Sequence, residues 1–362
     1  MKNQDKIHYC NLPQMPSRQF SVDLNPMRME AIIIMVSKWV NGTTLKYYFI
    51  NTNSFFTSMI DNSGNEKKNL WKGSSKEQES VRKAFAKWKS LGIGLEFEET
   101  KDRLDAHIRI GFAKGEGSWS YIGRDSWNIP KEQRTMNFGW DIVNDEDTIL
   151  HEIGHAMGLP HEHQNPNAGI VWNEEAVYNS LAGSPNFWSR EKTFHNIIRK
   201  INPDTVQGSS WDANSIMHYP FGQGMIKTPT KFENGLFPED GLSDRDKTWV
   251  MKFYPKLDKR TYLELKPFYS EVISLGNGDQ VNFEFEPEET RNYTIQTFGV
   301  MDTVMVLSEK VNGVTEYVSG DDDSGEDNNS SIKQKFIKGK KYIIQIRLYY
   351  KSSSGDTCVM VW

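Results

Sequence analysis

The stretch His151-Glu152-Ile153-Gly154-His155-Ala156-Met157-Gly158-Leu159-Pro160-His161 decides how this 362-residue chain is read. On a helix, residues four apart project from one face about one turn apart, so His151 and His155 are spaced to bind one zinc ion at roughly 2.0–2.1 Å each. Gly158 lacks a Cβ and can end the helix in a left-handed conformation, and Pro160 cannot continue it. The chain therefore turns back and brings His161 to the same metal. A three-histidine site leaves a fourth position for water, whose pKa the metal lowers toward about 7, and Glu152 stands beside it to accept the proton. The bland alternative is two surface histidines on an ordinary helix. With eight His in the chain, the glycine and third histidine at fixed spacing argue strongly against chance.

Working outward, Asn144-Asp145-Glu146-Asp147 supplies an N-cap and acidic first-turn residues, which start a helix over 145–157. Val81, Ala84, Phe85 and Trp88 recur at helical spacing and predict an amphipathic helix over 77–91. The β-branched and aromatic run 44–50 and the alternating runs 95–98 and 106–112 predict strands, with shorter ones at 118–122 and 135–140. Residues 160–214, rich in Asn, Pro, Gly and Trp, read as loops with short helices. Ser243-Asp244-Arg245-Asp246 reads as a capping box opening a helix that stops before Pro255.

Beyond about residue 257 the texture changes to alternating strands at 293–297, 303–307, 342–349 and 357–362, separated by turn signals as in a β-sandwich. Before Ala31 the chain is polar and punctuated by Pro13, Pro16 and Pro26, an extended arm or pro-segment. The expected organisation is an arm over 1–30, a catalytic domain over 31–257 and a sandwich over 258–362.

With 43 Lys+Arg against 48 Asp+Glu, nothing draws the chain to nucleic acid or to an anionic membrane. The longest apolar run, 31–36, falls far short of the roughly 18 residues of a membrane span. The start Met1-Lys2-Asn3-Gln4-Asp5-Lys6 lacks the apolar region of a secretory signal. Cys10 and Cys358 permit at most one disulfide.

The histidine stretch matches the metzincin signature, and Trp211-Asp212-Ala213-Asn214-Ser215-Ile216-Met217-His218-Tyr219-Pro220 resembles the Met-turn of that group, with Met217 beneath the zinc. Within metzincins, Ser-Ile-Met-His-Tyr resembles the astacin family, and the likeness covers about 38–255. It implies an α+β catalytic domain, a twisted mixed sheet with an active-site helix, followed here by the all-β sandwich. It implies a secreted, monomeric zinc endopeptidase acting on proteins or peptides, with Tyr219 both ligating zinc and stabilising the oxyanion. The bland reading of Tyr219 is a buried core residue. Ser120-Tyr121-Ile122 would match the family's edge strand, which binds extended substrate by β-augmentation. Glu162 follows the third histidine as in the family, where it meets the new N-terminus after activation.

The four cysteines usual in animal astacins are missing from this span, so the core holds without their disulfides. Two latency devices are suggested. Cys10 would present a thiolate to zinc, as in the matrixin cysteine switch, and Phe20-Ser21-Val22-Asp23 resembles the astacin aspartate switch, with Asp23 as its ligand. A plain arm, or a Cys10–Cys358 disulfide, are the alternatives. The C-terminal segment resembles bacterial pre-peptidase C-terminal domains, and Asp321, Asp322 and Asp323 either offer hard oxygen ligands to Ca²⁺ or form a solvated loop. A different class of function stays open beside the enzyme: an adhesin with structural zinc, whose sandwich grips matrix or polysaccharide.

Overall fold

The computed structural model describes residues 7–13, 38–39, 41–60, 64–201, 211–256, 262–276, 278–350 and 353–362. They form two compact units. The first comprises the described residues of Met1–Met15, Thr44–Ile201 and Ser210–Lys256. The second comprises those of Pro16–Thr43, Asn202–Ser209 and Leu257–Trp362.

The first unit is built on a mixed sheet. Its strands are β1 (Thr44–Phe49), β4 (Glu96–Glu99), β5 (Ile108–Gly111), β6 (Trp119–Ser120) and β7 (Met136–Asn137), in the order β4-β1-β5-β7-β6. All neighbours are parallel except the edge strand β6, which runs antiparallel to β7. A polar hairpin, β2 (Phe56–Ile60) with β3 (Glu66–Leu70), interrupts the run after β1. Helix α1 (Ser75–Lys89) starts at a capping box, in which the Ser74 hydroxyl accepts from Glu77 N and the Glu77 carboxylate accepts from Ser74 N. It buries Val81, Ala84, Phe85 and Trp88, and Phe85 stacks on Tyr47 of β1 at 4.3 Å. Helix α2 (Glu146–Ala156) packs beside it, and the Trp88 indole donates to the Leu150 carbonyl at 3.2 Å.

The remainder of this unit is a region of short elements: β8 (Val171–Trp172) paired with β9 (Ile226–Thr228), α3 (Glu174–Ala182), α4 (Arg190–Thr193), and finally α5 (Asp244–Phe253). An aromatic core including Trp172, Tyr178, Trp188, Tyr219 and Phe221 holds them together.

The second unit is a β-sandwich. One sheet has the order β10-β12-β17-β14-β15 and the other β11-β18-β13-β16, with β10 (Leu263–Glu264), β11 (Ser270–Leu275), β12 (Gln280–Phe285), β13 (Arg291–Phe298), β14 (Thr303–Val311), β15 (Val314–Asp321), β16 (Ser331–Phe336), β17 (Lys341–Leu348) and β18 (Gly355–Val361). Alternating inward residues such as Phe283, Phe285, Ile295, Ile344 and Val359 make one buried core.

The unit boundaries differ from those read in the sequence. Residues 7–13, expected as a separate arm, lie in the first unit, while residues 38, 39 and 41–43, expected in the catalytic segment, lie in the second. There the Tyr262 hydroxyl donates to the Asn41 carbonyl. No helix among the described residues is long and apolar enough to cross a membrane.

Beside β5, His107 is buried, and its Nδ1 accepts from Lys46 N at 2.8 Å. Burial first, then the cations Lys131, Lys46 and Arg109, push its pKa from 6.5 down to about 4, against the pull of Asp105. The unfolded chain therefore takes up this proton before the folded one. The stability His107 contributes is present above about pH 6.5 and is lost as pH falls toward 4. His107→Asn retains an acceptor for Lys46 N and does not titrate. Its loss of unfolding free energy between pH 7.5 and pH 5, measured by urea unfolding, should be smaller than the parent's by about 2 kcal/mol. Equal losses in the two proteins would show that His107 carries none of the acid sensitivity.

Candidate metal centre

Helix α2 is fixed at both ends before any metal is considered. At its N-terminus the Asp145 carboxylate accepts from Thr148 N at 3.2 Å and from the Trp140 indole at 2.8 Å. A surface helix buries one stripe, but here every residue from Ile149 to Ala156 is buried. At the C-terminus Leu159 N returns to the Gly154 carbonyl at 3.0 Å, and Gly158 sits at φ +103°. That is a conformation side chains resist, so glycine is what lets the chain reverse toward His161.

The reversal converges three imidazoles. His151 Nδ1 donates to the Ile216 carbonyl and His155 Nδ1 to the Leu159 carbonyl, both at 2.7 Å. These bonds place the proton on Nδ1 and leave Nε2 as the donor to a metal. His155 Nε2 and His161 Nε2 are 3.0 Å apart, and His151 Nε2 is buried with no hydrogen-bond partner among the described residues. Burial pushes the His151 pKa down to about 4 and holds His155 and His161 well below the usual imidazole range, the neutral form a metal requires. The Cys10 sulfur completes the group, with one ligand atom from each of the four residues lying within 4.8 Å of the others. Three imidazoles and a thiol are a donor set suited to zinc in tetrahedral coordination, so the residues fit the ion the sequence implies.

Glu152 is 1 % exposed, and burial pushes its carboxyl well above the usual carboxylate range. The Cys10 thiol lies 3.6 Å from its Oε2. The Tyr219 hydroxyl donates to the Cys10 carbonyl at 2.7 Å, and its ring lies 4.3 Å from that of His161. Met217 forms the floor. Its sulfur would stand 2.4 Å from a Cβ placed on Gly154, so only glycine in the helix admits it.

The turn carrying Met217 is pinned from three sides. Asp246 accepts from the Ser215 hydroxyl at 2.6 Å and from Ile216 N at 2.8 Å, and Glu162 N donates to the Met217 carbonyl at 3.0 Å. Glu162 itself accepts from Asp212 N and Asn165 Nδ2.

Of the expected edge-strand residues, Ser120 reaches the site: its main-chain N–H points at the Cys10 sulfur. Tyr121 N bonds to the Thr135 carbonyl, and Ile122 opens a 3₁₀ turn instead. The strands expected over 118–122 and 135–140 are only two residues long. Asp23 lies outside the described residues. Cys10 and Cys358 are both free thiols, which corrects the disulfide alternative: Cys10 faces the histidines and Cys358 sits within β18. In the sandwich, Asp321 accepts from Ser324 and from Ser331 N. Asp322 is fully buried and exerts its charge on Arg347. Among the described residues, 321–323 do not converge as a metal-holding group.

Sequence reading did not reach Asn186, Asn196 and Trp188, which hold residues 7–12 across this site. They lie in a stretch whose composition says only loop, and no spacing marks them.

A mixed sheet with an antiparallel edge strand, a buried histidine helix and a methionine floor define a zinc metalloprotease domain of the metzincin class. More particularly, residues 70–231 match the family model for astacin, a peptidase family, and this is an astacin-like domain. The chain is 28 % identical over 183 residues to zinc metalloproteinase nas-36 of Haemonchus contortus, a match covering 51 % of this chain and 24 % of that one. It is 32 % identical over 152 residues to protein SpAN of Strongylocentrotus purpuratus, covering 40 % and 22 %. It thus spans about a quarter of the length of these relatives. Among solved structures, that of myroilysin is similar at 28 % identity and a TM-score of 0.52, over 62 % of this chain and 98 % of that one.

The reversal at Gly158 yields a direct test. Gly158→Ala forces a side chain into positive φ and should cost about 1–2 kcal/mol. Because His161 lies just beyond, zinc affinity measured by competition with a chelating dye should fall at least tenfold. Parent-like melting temperature and zinc affinity would show that the turn tolerates a Cβ.

Proposed function

We propose that this chain is a zinc-dependent endopeptidase held latent by its own N-terminal segment. The observation that carries the reading is a buried carboxylate, Glu152, beside three convergent imidazoles whose fourth neighbour is the Cys10 thiol. Zinc, when bound, supplies a Lewis acid that polarises a carbonyl and lowers the pKa of water.

The remaining work falls to the chain's own groups. His151, His155 and His161 hold the ion, oriented by the carbonyls of Ile216 and Leu159. Glu152 accepts the proton of the attacking water and delivers it to the leaving amine. The Tyr219 hydroxyl, now bonded to the Cys10 carbonyl, is free after that segment departs to hydrogen-bond the oxyanion of the tetrahedral intermediate. The edge strand at Ser120 aligns an extended protein substrate through its main chain. Latency follows from occupancy, since Cys10 stands where a substrate carbonyl or water must enter.

Two variants test the two halves of this reading. Glu152→Gln should keep one zinc per chain while casein cleavage by the activated enzyme falls roughly 10²–10⁴-fold. Cleavage near the parent rate would end the peptidase assignment. Cys10→Ser should raise the activity of the uncleaved chain at least tenfold, and 1,10-phenanthroline should abolish it. An uncleaved Cys10→Ser chain as silent as the parent, alongside an active truncated one, would show that the thiol is not what enforces latency.

A further inference from the structure

Residues 7–12 lie across the metal centre as an extended strand. Asn186 clamps their main chain at two points, donating from Nδ2 to the Ile7 carbonyl at 2.9 Å and accepting at Oδ1 from Tyr9 N at 3.2 Å. Asn196 accepts from Leu12 N at 3.1 Å, and its own Nδ2 is tied to the Lys192 carbonyl at 3.0 Å. Asn11 N donates to the Ser118 carbonyl, just before the edge strand, at 3.1 Å. All of these contacts grip main-chain atoms, so they are indifferent to the side chains of whatever they hold.

Side chains alternate along this strand. His8 is exposed and stacks on Trp140 at 4.7 Å. Tyr9, next to the residue at the metal, is 4 % exposed. Its ring meets Tyr219 edge-on at 5.2 Å, Phe221 at 5.9 Å and Trp188 at 6.1 Å. The pocket is thus aromatic on several sides and opens beside the reacting centre. It is also imperfectly matched to tyrosine, because the Tyr9 hydroxyl is buried with no hydrogen-bond partner among the described residues. A buried hydroxyl without a partner is destabilising, and a side chain of the same shape without it would sit better.

We infer that the pocket filled by Tyr9 is the specificity subsite of the active enzyme, taking phenylalanine or another large apolar side chain next to the scissile bond. Asn186 and Asn196 then hold the substrate's main chain. The segment over 7–12 occupies, in the latent chain, the places a substrate occupies after its removal. This rests on the peptidase reading above. Charged residues are excluded from the subsite, because the lining offers them neither a counter-charge nor water.

The test uses the full-length protein and its proteolytically activated form. Activated enzyme is given peptides differing only in the residues flanking the cleaved bond. The expected order at one flanking position is phenylalanine above tyrosine by several-fold, and above aspartate or lysine by a hundredfold or more, in kcat/KM. Trp188→Ala, or Trp188→Leu should the former not fold, should compress that range at least tenfold. Asn186→Ala should raise KM for every peptide alike and leave the order intact.

In the full-length chain, Tyr9→Ala should speed modification of Cys10 by a thiol reagent at least tenfold, whereas Tyr9→Phe should match or slow the parent rate. This readout requires no turnover. Cleavage without a large-apolar preference on either side of the bond, or a preference untouched at Trp188, overturns the subsite. Absence of any cleavage by the zinc-loaded, activated chain overturns the peptidase reading itself and the subsite with it.

Discussion

One buried carboxylate ties the catalytic unit together. Asp246 serves as the N3 residue of the capping box that opens α5, accepting from Ser243 N, and the same two oxygens accept from the Ser215 hydroxyl and Ile216 N. The Ile216 carbonyl, on the far side of that peptide, receives the Nδ1 proton of His151. A chain of hydrogen bonds therefore runs from the start of α5, through the methionine-bearing turn, to the first zinc-ligating histidine. Asp246, Ser215, Ile216 and His151 are all buried, where an unmade bond is most costly. The orientation of an imidazole is in this way governed by a helix cap roughly a hundred residues later in the chain.

What the sequence made legible is what depends on short spacing. The histidine helix, its glycine stop and the return of His161 all lie within eleven residues, and local rules of helix period and left-handed termination predict them. Helix α1 follows from its apolar stripe, and the opening of α5 from its capping box. The hairpin β2–β3 was not legible. Its strands expose most of their side chains, so no alternation was available to read. Nor were Asn186, Asn196 and Trp188, whose importance lies in contacts to residues some 180 positions away. Composition and periodicity carry no information about such pairings.

Cys10 was legible as a thiol able to reach zinc but not as part of a strand in the cleft. Proline punctuation correctly marks the segment as extended; it says nothing of where an extended segment lies. The packing of Tyr9 against Trp188, Tyr219 and Phe221 supplies the anchor, and main-chain bonds on both sides hold the register that sets Cys10 at the histidines. Metal affinity and apolar burial thus act on adjacent residues of one strand, and each raises the effective concentration of the other at its site.

The contact between Gly154 and Met217 has a bearing on how such a protein can diverge. The thioether occupies the volume any larger residue in the helix would need, so the two positions form a single steric unit divided between distant parts of the chain. A lineage cannot enlarge one without first reducing the other, and the intermediate step leaves a void directly beneath the histidines. Drift at the centre of this domain is therefore confined to paired changes, while the loops around it remain free to vary one residue at a time.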